Sequence, residues 1–302
     1  MSFRPKPGTE CCTGEVNRIM PNYAGRMWMR RGTGLVAVLY GPNSVTTQAG
    51  RMGRRVTIHE ETTYPFSDRV KFRVSTDGPT RFTLWLRVPG WCREPRLYLN
   101  DQPWGKRLKP GTFIPVVREF HDGDTLELFL PWEIRATKWP RGGTALEAGP
   151  LVFSLRIAEK WVVDRKAPNQ SRDFPAWNLY PAGPFNFALA GNPAREALLV
   201  RSPAGADPWT QEPSPVELLV PVRRVAGWKL LRPRSVIREG WFIVNGRWTG
   251  HQGRVRGRFI LTPNIPAPND AGRRAVGPVE AVSLVPYGTT HLRLTVFPRT
   301  GK

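Results

Sequence analysis

The segment Phe82-Thr83-Leu84-Trp85-Leu86-Arg87-Val88 decides the fold. Phe82, Leu84, Leu86 and Val88 occupy every second position, with Thr83, Trp85 and Arg87 between them. Side chains of a strand point alternately to its two faces, so this period buries one face of a sheet and turns the other outward. The same period runs through Val70, Phe72 and Val74 against Lys71, Arg73 and Ser75. It recurs in Leu126, Leu128 and Leu130, directly after the turn Asp122-Gly123-Asp124, and in Leu292, Leu294 and Val296. Asn245-Gly246, between Trp241–Val244 and Arg247–Thr249, is a two-residue hairpin signal. From Gly34 onward the chain therefore reads as antiparallel sheets with one buried face each, which is the pattern of β-sandwiches.

The first thirty residues read differently. Val16, Ile19, Met20, Tyr23 and Met27 recur at the spacing of an amphipathic helix. Thr9 is placed to cap its start, and Pro21 and Gly25 are expected to kink it. No further strong helical pattern follows, so this helix has no helical neighbour to cover its stripe. The stretch from about Asp164 to Pro215 is poor in alternation and rich in Pro, Asn and Ala. The expected organisation is thus mostly β: a helical segment at 1–34, a first antiparallel sandwich at 35–157, an irregular connection at 158–215 and a second sandwich at 216–302.

A length of 302 residues suits two domains of ordinary size or one large β domain. Gly (29) and Pro (31) are plentiful but fall short of a disordered composition, and 12 Trp with 14 Phe suffice for a core. No run approaches the roughly 18 apolar residues of a membrane span. Met1 to Cys12 contains no apolar segment of the signal-peptide kind, so a cytoplasmic location is the default reading and the compartment stays open. The net charge of +21 would suit a polyanion. However, 36 of the basic residues are Arg and 9 Lys, a bias that genome composition alone produces, and the excess is even: +9 over residues 1–150 and +12 over 151–302. Clusters such as Arg51, Arg54, Arg55 and Arg254, Arg256, Arg258 are short and lie beside strand patterns. These details argue against nucleic acid as the main partner.

Among residues with chemical potential, Glu10-Cys11-Cys12-Thr13-Gly14-Glu15-Val16-Asn17-Arg18 stands out. Thiols at a helix start meet free N–H groups and the positive end of the helix dipole, which lowers their pKa. A thiolate is a soft donor that suits Zn²⁺, but two ligands are too few for a zinc site. A disulfide between Cys11 and Cys12 would close a strained ring, so a reduced compartment or a metal suits them better. Read by themselves, they fit better as small helix-start residues without a function. Cys92, after Pro89-Gly90-Trp91, reads as an inert buried thiol.

His59 beside Glu60 and Glu61 resembles an acid–base cluster but reads as a solvated strand edge. His121, Asp122 and Asp124 read as turn chemistry. His251 follows the hairpin, and His291 sits beside a strand with no partner evident. Trp91, Trp104, Trp132 and Trp139 could stack on sugar rings, although packing is the commoner role of such residues. No phosphate loop, His-Glu-x-x-His pattern or Gly-x-Ser-x-Gly elbow is present.

The segment from Glu10 to Tyr23 resembles the cysteine-pair signature of glycoside hydrolase family 127, the β-L-arabinofuranosidase-like enzymes. The resemblance continues through Leu35–Tyr40, Leu86–Cys92, Asp122–Pro131, Ala145–Phe153 and Val285–Pro298. It implies an (α/α)6 barrel followed by β-sandwiches, and a retaining hydrolysis whose nucleophile is a zinc-bound cysteine. By the resemblance, Cys11 is the nucleophile and a zinc ligand, and Cys12 is a second ligand. The remaining ligands (a glutamate and another cysteine) and the glutamate general acid/base lie upstream of the pair in the family. Glu10 does not match that spacing.

The resemblance therefore implies the C-terminal part of such a hydrolase, with the last barrel helix and both sandwiches and with little activity alone. Its substrate would be a β-L-arabinofuranoside or a related plant glycan, and its partner the missing barrel segment. Met1 then falls mid-domain, as a late start codon, a split gene or a frameshift would place it. The alternative is a non-catalytic carbohydrate-binding or structural β-sandwich module, in which the cysteines are incidental.

Overall fold

The computed structural model describes residues 2–3, 5, 10–229, 234–240, 243–244, 247–248, 253–259 and 265–300; Ser2, residues 10–14 and those from 234 to 259 are described for the backbone alone. A two-residue strand β1 (Ser2–Phe3) precedes the helix α1 (Glu10–Ala24). Thr9, the expected cap, lies outside the described residues. The helix continues through Pro21 and stops before Gly25, whose N–H donates to the Pro21 carbonyl at 2.9 Å. Met27, counted in the helical stripe from its spacing, lies beyond the helix and is buried.

The first sandwich follows at once. It is built from β2 (Trp28–Arg31), β3 (Gly34–Ala37), β4 (Asn43–Ala49), β5 (Arg54–Glu61), β6 (Arg69–Thr76), β7 (Thr80–Val88), β8 (Arg96–Leu99), β9 (Gln102–Pro103), β10 (Thr112–Phe120) and β11 (Thr125–Phe129). Four strands form one sheet in the order β10-β7-β3-β2, and six form the other in the order β4-β5-β6-β11-β8-β9. The alternation of β7 is realised in full: Phe82, Leu84, Leu86 and Val88 are buried, and Thr83, Trp85 and Arg87 are only partly covered. Val70, Phe72 and Val74 of β6 and Leu126 and Leu128 of β11 meet them in one core. One pairing departs from the antiparallel expectation. β3 runs parallel to β7, with Leu35 opposite Leu84 and Ala37 opposite Leu86. Gly34 allows this approach, because a Cβ there would lie 2.3 Å from the Thr83 carbonyl oxygen.

The second core begins earlier than the sequence boundary at 157. After β11 come β12 (Ile134–Trp139), β13 (Gly143–Ala148), β14 (Leu151–Arg156), β15 (Glu159–Val163), β16 (Trp177–Pro181), β17 (Phe187–Leu189), α2 (Pro193–Glu196), β18 (Leu198–Arg201) and β19 (Val216–Val225). They are followed by β20 (Arg234–Gly240), β21 (Ile243–Val244), β22 (Arg247–Trp248), β23 (Gly253–Phe259), α3 (Pro268–Arg273), β24 (Ala275–Pro286) and β25 (Arg293–Leu294). β12, β13 and β14 join β24, β19 and β17 in an eight-stranded sheet that also takes in β18 and β25. Their apolar residues, such as Leu146 and Phe153, pack with Leu218, Val220, Leu284 and Phe297. A hydrophobic strand can pair with any sheet in reach, and alternation does not say which.

The connection at 158–215 holds short elements, as its composition suggests. β15 and β16 form a three-stranded sheet with β1, while β17 and β18 line β19. Leu292, Leu294 and Val296 yield only the two-residue β25 and are half-buried. The strands β21 and β22 pair antiparallel as the hairpin signal requires, although Asn245 and Gly246 themselves lie outside the described residues.

Candidate functional site

The helix α1 is the candidate site because the cysteine pair lies in its first turn. The structure fixes the backbone of Cys11 and Cys12, and their side chains lie outside the described residues. Further along, the apolar stripe is bare: Val16 and Ile19 are each 58% exposed and Met20 67%. An amphipathic helix gains most of its stability by burying such a face. This one is held by its foot instead. Tyr23 Oη donates to the Tyr40 carbonyl at 3.4 Å, and the Met27 carbonyl accepts from Val38 N at 2.8 Å. A shallow groove runs between α1 and Leu39, bordered by Ile19, Asn22 and Tyr23.

Below the foot lies a polar cluster that the sequence reading missed. Tyr40 is buried, and its hydroxyl donates to the Arg87 carbonyl. The Arg87 guanidinium lies 5.4 Å from the Tyr40 ring centre, and its Nε donates to the Val38 carbonyl. Glu60 is 2% exposed and accepts from Gly41 N and from Asn43 Nδ2, each at 2.9 Å. Burial pushes its carboxyl up to about 7 against the pull of those two hydrogen bonds. Burial also raises the phenols of Tyr23, Tyr40 and Tyr64. The sequence did carry a signal for Glu60. It stands in phase with Val56 and Ile58 on β5, which is the inward parity of that strand.

The other candidates separate cleanly. His59 and Glu61 point to the exposed face of β5, opposite to Glu60, so the three do not form an acid–base cluster. Asp122 and Asp124 do the work of a turn: Asp122 accepts from Thr76 N, and Asp124 accepts from His121 N and Asn100 Nδ2. His291, expected to be alone, has partners. Its Nδ1 lies 3.2 Å from Glu159 Oε2, and its ring meets Phe3 and Trp161 edge-on. His251 lies outside the described residues. Trp91, Trp104 and Trp132 pack on the two cores, whereas Trp139 is 51% exposed. Cys92 is fully buried, and burial lifts its thiol to about 11, which makes it unreactive. Among the described residues no three of His, Cys, Asp and Glu come together to hold a metal ion. No helix among them is long and apolar enough to cross a membrane.

Comparison with known proteins bears directly on this architecture. The family model for the β-L-arabinofuranosidase GH127 middle domain matches residues 34–132, which is the span of β3 to β11 and hence nearly all of the first sandwich. No curated protein sequence matches the chain. Among solved structures, a GH127 β-L-arabinofuranosidase from Geobacillus stearothermophilus T6 superposes with a TM-score of 0.56 at 21% identity, covering 92% of this chain and 35% of that one. A structure described as a glycoside hydrolase gives a TM-score of 0.61 at 18% identity, covering 98% of this chain and 41% of its own. A GH127 β-arabinofuranosidase gives 0.61 at 16% identity, covering 99% and 40%. The chain therefore spans about two fifths of the length of the solved structures it matches. Residues 34–132 thus match the model of the GH127 middle domain, and the chain around them shares its fold with the corresponding part of β-L-arabinofuranosidases of known structure.

Proposed function

We propose that this chain is the sandwich-bearing part of a retaining glycoside hydrolase acting on β-L-arabinofuranosides or related plant glycans, and that it contributes the nucleophile Cys11. One juxtaposition supports the reading. A segment that matches the GH127 middle-domain model is joined directly to a helix whose apolar stripe is uncovered and whose first turn carries Cys11 and Cys12. In the proposed complete site Cys11 and Cys12 would hold a zinc ion, which would keep the thiol ionised at neutral pH. The Cys11 sulfur attacks the anomeric carbon while a carboxyl from the helical barrel protonates the departing oxygen, and water then releases the sugar from sulfur. The acid/base and the other metal ligands belong to that barrel. The chain by itself is proposed to bind zinc weakly and to be inactive.

The test is turnover of an aryl β-L-arabinofuranoside by the purified chain with zinc supplied. The expected rate equals that of buffer. Substantial turnover that disappears in Cys11→Ser would refute the proposed inactivity while supporting Cys11 as nucleophile. Turnover that survives Cys11→Ser would refute both.

A further inference from the structure

Three segments distant in sequence enclose a cleft of about 450 Å³ on the second core: the end of β14 with the start of β15, the loop around Trp209, and the turn at residues 288–291. That volume falls in the range of small-molecule sites. Its walls are tied together rather than merely adjacent. Arg156 pairs with Glu212 through Nη1 and donates to the Thr289 carbonyl through Nη2 at 3.4 Å. Glu159 Oε1 accepts from Leu292 N at 2.7 Å, and Oε2 accepts from Trp161 Nε1 at 3.0 Å beside His291. The loop carrying Trp209 is braced by Gln211, which accepts from Gly205 N at 2.6 Å and donates to the Pro203 carbonyl at 2.9 Å.

Trp209 is the largest apolar element of the lining and is 41% exposed. It is set in place by Phe66, edge-on at 4.8 Å between ring centres, and by Gly288, where a Cβ would lie 2.7 Å from the indole. The balance of charge limits what can bind. The one arginine of the lining pairs with Glu212 and with the Thr289 carbonyl through its two terminal nitrogens, leaving a buried Nε without a partner, and carboxylates stand on two walls, which disfavours a phosphate or other anion. Both oxygens of Glu159 are already occupied, which disfavours a divalent cation. What remains is a neutral ligand with an apolar face and many hydroxyls.

We propose that this cleft is a saccharide-binding subsite in which Trp209 supports the C–H face of a sugar ring, and the hydroxyl oxygens of Thr210 and Thr289, which donate to Asp207 and to the Pro286 carbonyl, accept from its hydroxyls beside His291. The site is separate from α1 and does not use Cys11. The choice of arabinan as probe rests on the proposed function; the chemistry of the cleft does not. The experiment is isothermal titration of the full chain with arabino-oligosaccharides and, in a second arm, xylo-oligosaccharides. Binding of either ligand is expected, weakened at least tenfold in Trp209→Ala and in Thr210→Arg, which fills the cleft from an exposed position. Absence of heat with both ligands, unchanged affinity in both variants, or displacement by millimolar inorganic phosphate would overturn the proposal. The titration reads Trp209 and Thr210 whereas the turnover assay reads Cys11, so the subsite and the hydrolase reading fail in separate experiments.

Discussion

Glu60 keeps its proton in the folded chain up to about pH 7, whereas the free side chain titrates near 4.5. Between those values the folded state holds a proton that the unfolded state has released. Stability must then fall as pH rises from about 4.5 to about 7, and level off above. At 1.36 kcal/mol per pKa unit the loss is on the order of 3 kcal/mol. Urea midpoints at pH 5 and pH 8 measure it: the wild-type midpoint is expected to be lower at pH 8. In Glu60→Gln, which has no proton to lose, most of that difference is expected to vanish. A variant as pH-dependent as the wild type would show that another group carries the effect. Sequence reading named Glu60 but attached it to His59 and Glu61, its neighbours in the chain. Strand parity assigns it to the opposite face, beside Tyr40 and Asn43, and only the pairing of β4 with β5 brings Asn43 level with it.

At the scale of elements, legibility followed how local the cause was. β6, β7 and β11 were readable because each buries one face against the other sheet, and the alternation records that directly. The parallel pairing of β3 with β7 was not readable, since Leu35-Val36-Ala37 is buried throughout and its apolar run fits either direction. The helix was readable from its stripe, but the stripe did not fix its end: Met27 continues the spacing while its side chain turns into the sandwich. This contrast yields a paired prediction. Gly34→Ala places a methyl against the Thr83 backbone, which cannot give way without moving β7. A loss of about 2 kcal/mol or more is expected, in the range of overpacked cores. Ile19→Lys, on the uncovered face of α1, is expected to change stability by no more than about 0.5 kcal/mol. Chemical denaturation checks both, and a large loss in Ile19→Lys would mean that the stripe is covered in solution.

At the scale of the molecule, several of the arginines cover aromatic rings. Arg31 lies over Trp85, Arg201 over Trp132 and Arg293 over Tyr287, with guanidinium carbons 4.1, 4.1 and 3.7 Å from the ring centres. Such contacts use the flat, weakly hydrated face of arginine, which lysine lacks. Side chains of the first sandwich reach the second core. Phe66, from the connection between β5 and β6, is buried in the second core against Trp209, and Arg201 on β18 reaches Asp68 at 3.3 Å. A junction of that kind couples two units without merging them. Thermal unfolding followed by calorimetry is therefore expected to resolve two transitions. Leu84→Ala, deep in the first core, should lower one of them by roughly 10 °C, and Leu218→Ala, deep in the second, should lower the other by a similar amount. Phe66→Ala should spread the two transitions further apart, because it removes the ring that belongs to one unit in sequence and to the other in packing. A single transition displaced equally by all three substitutions would show that the sheets fold as one body, and that the boundary between β11 and β12 divides hydrogen bonding but not cooperativity.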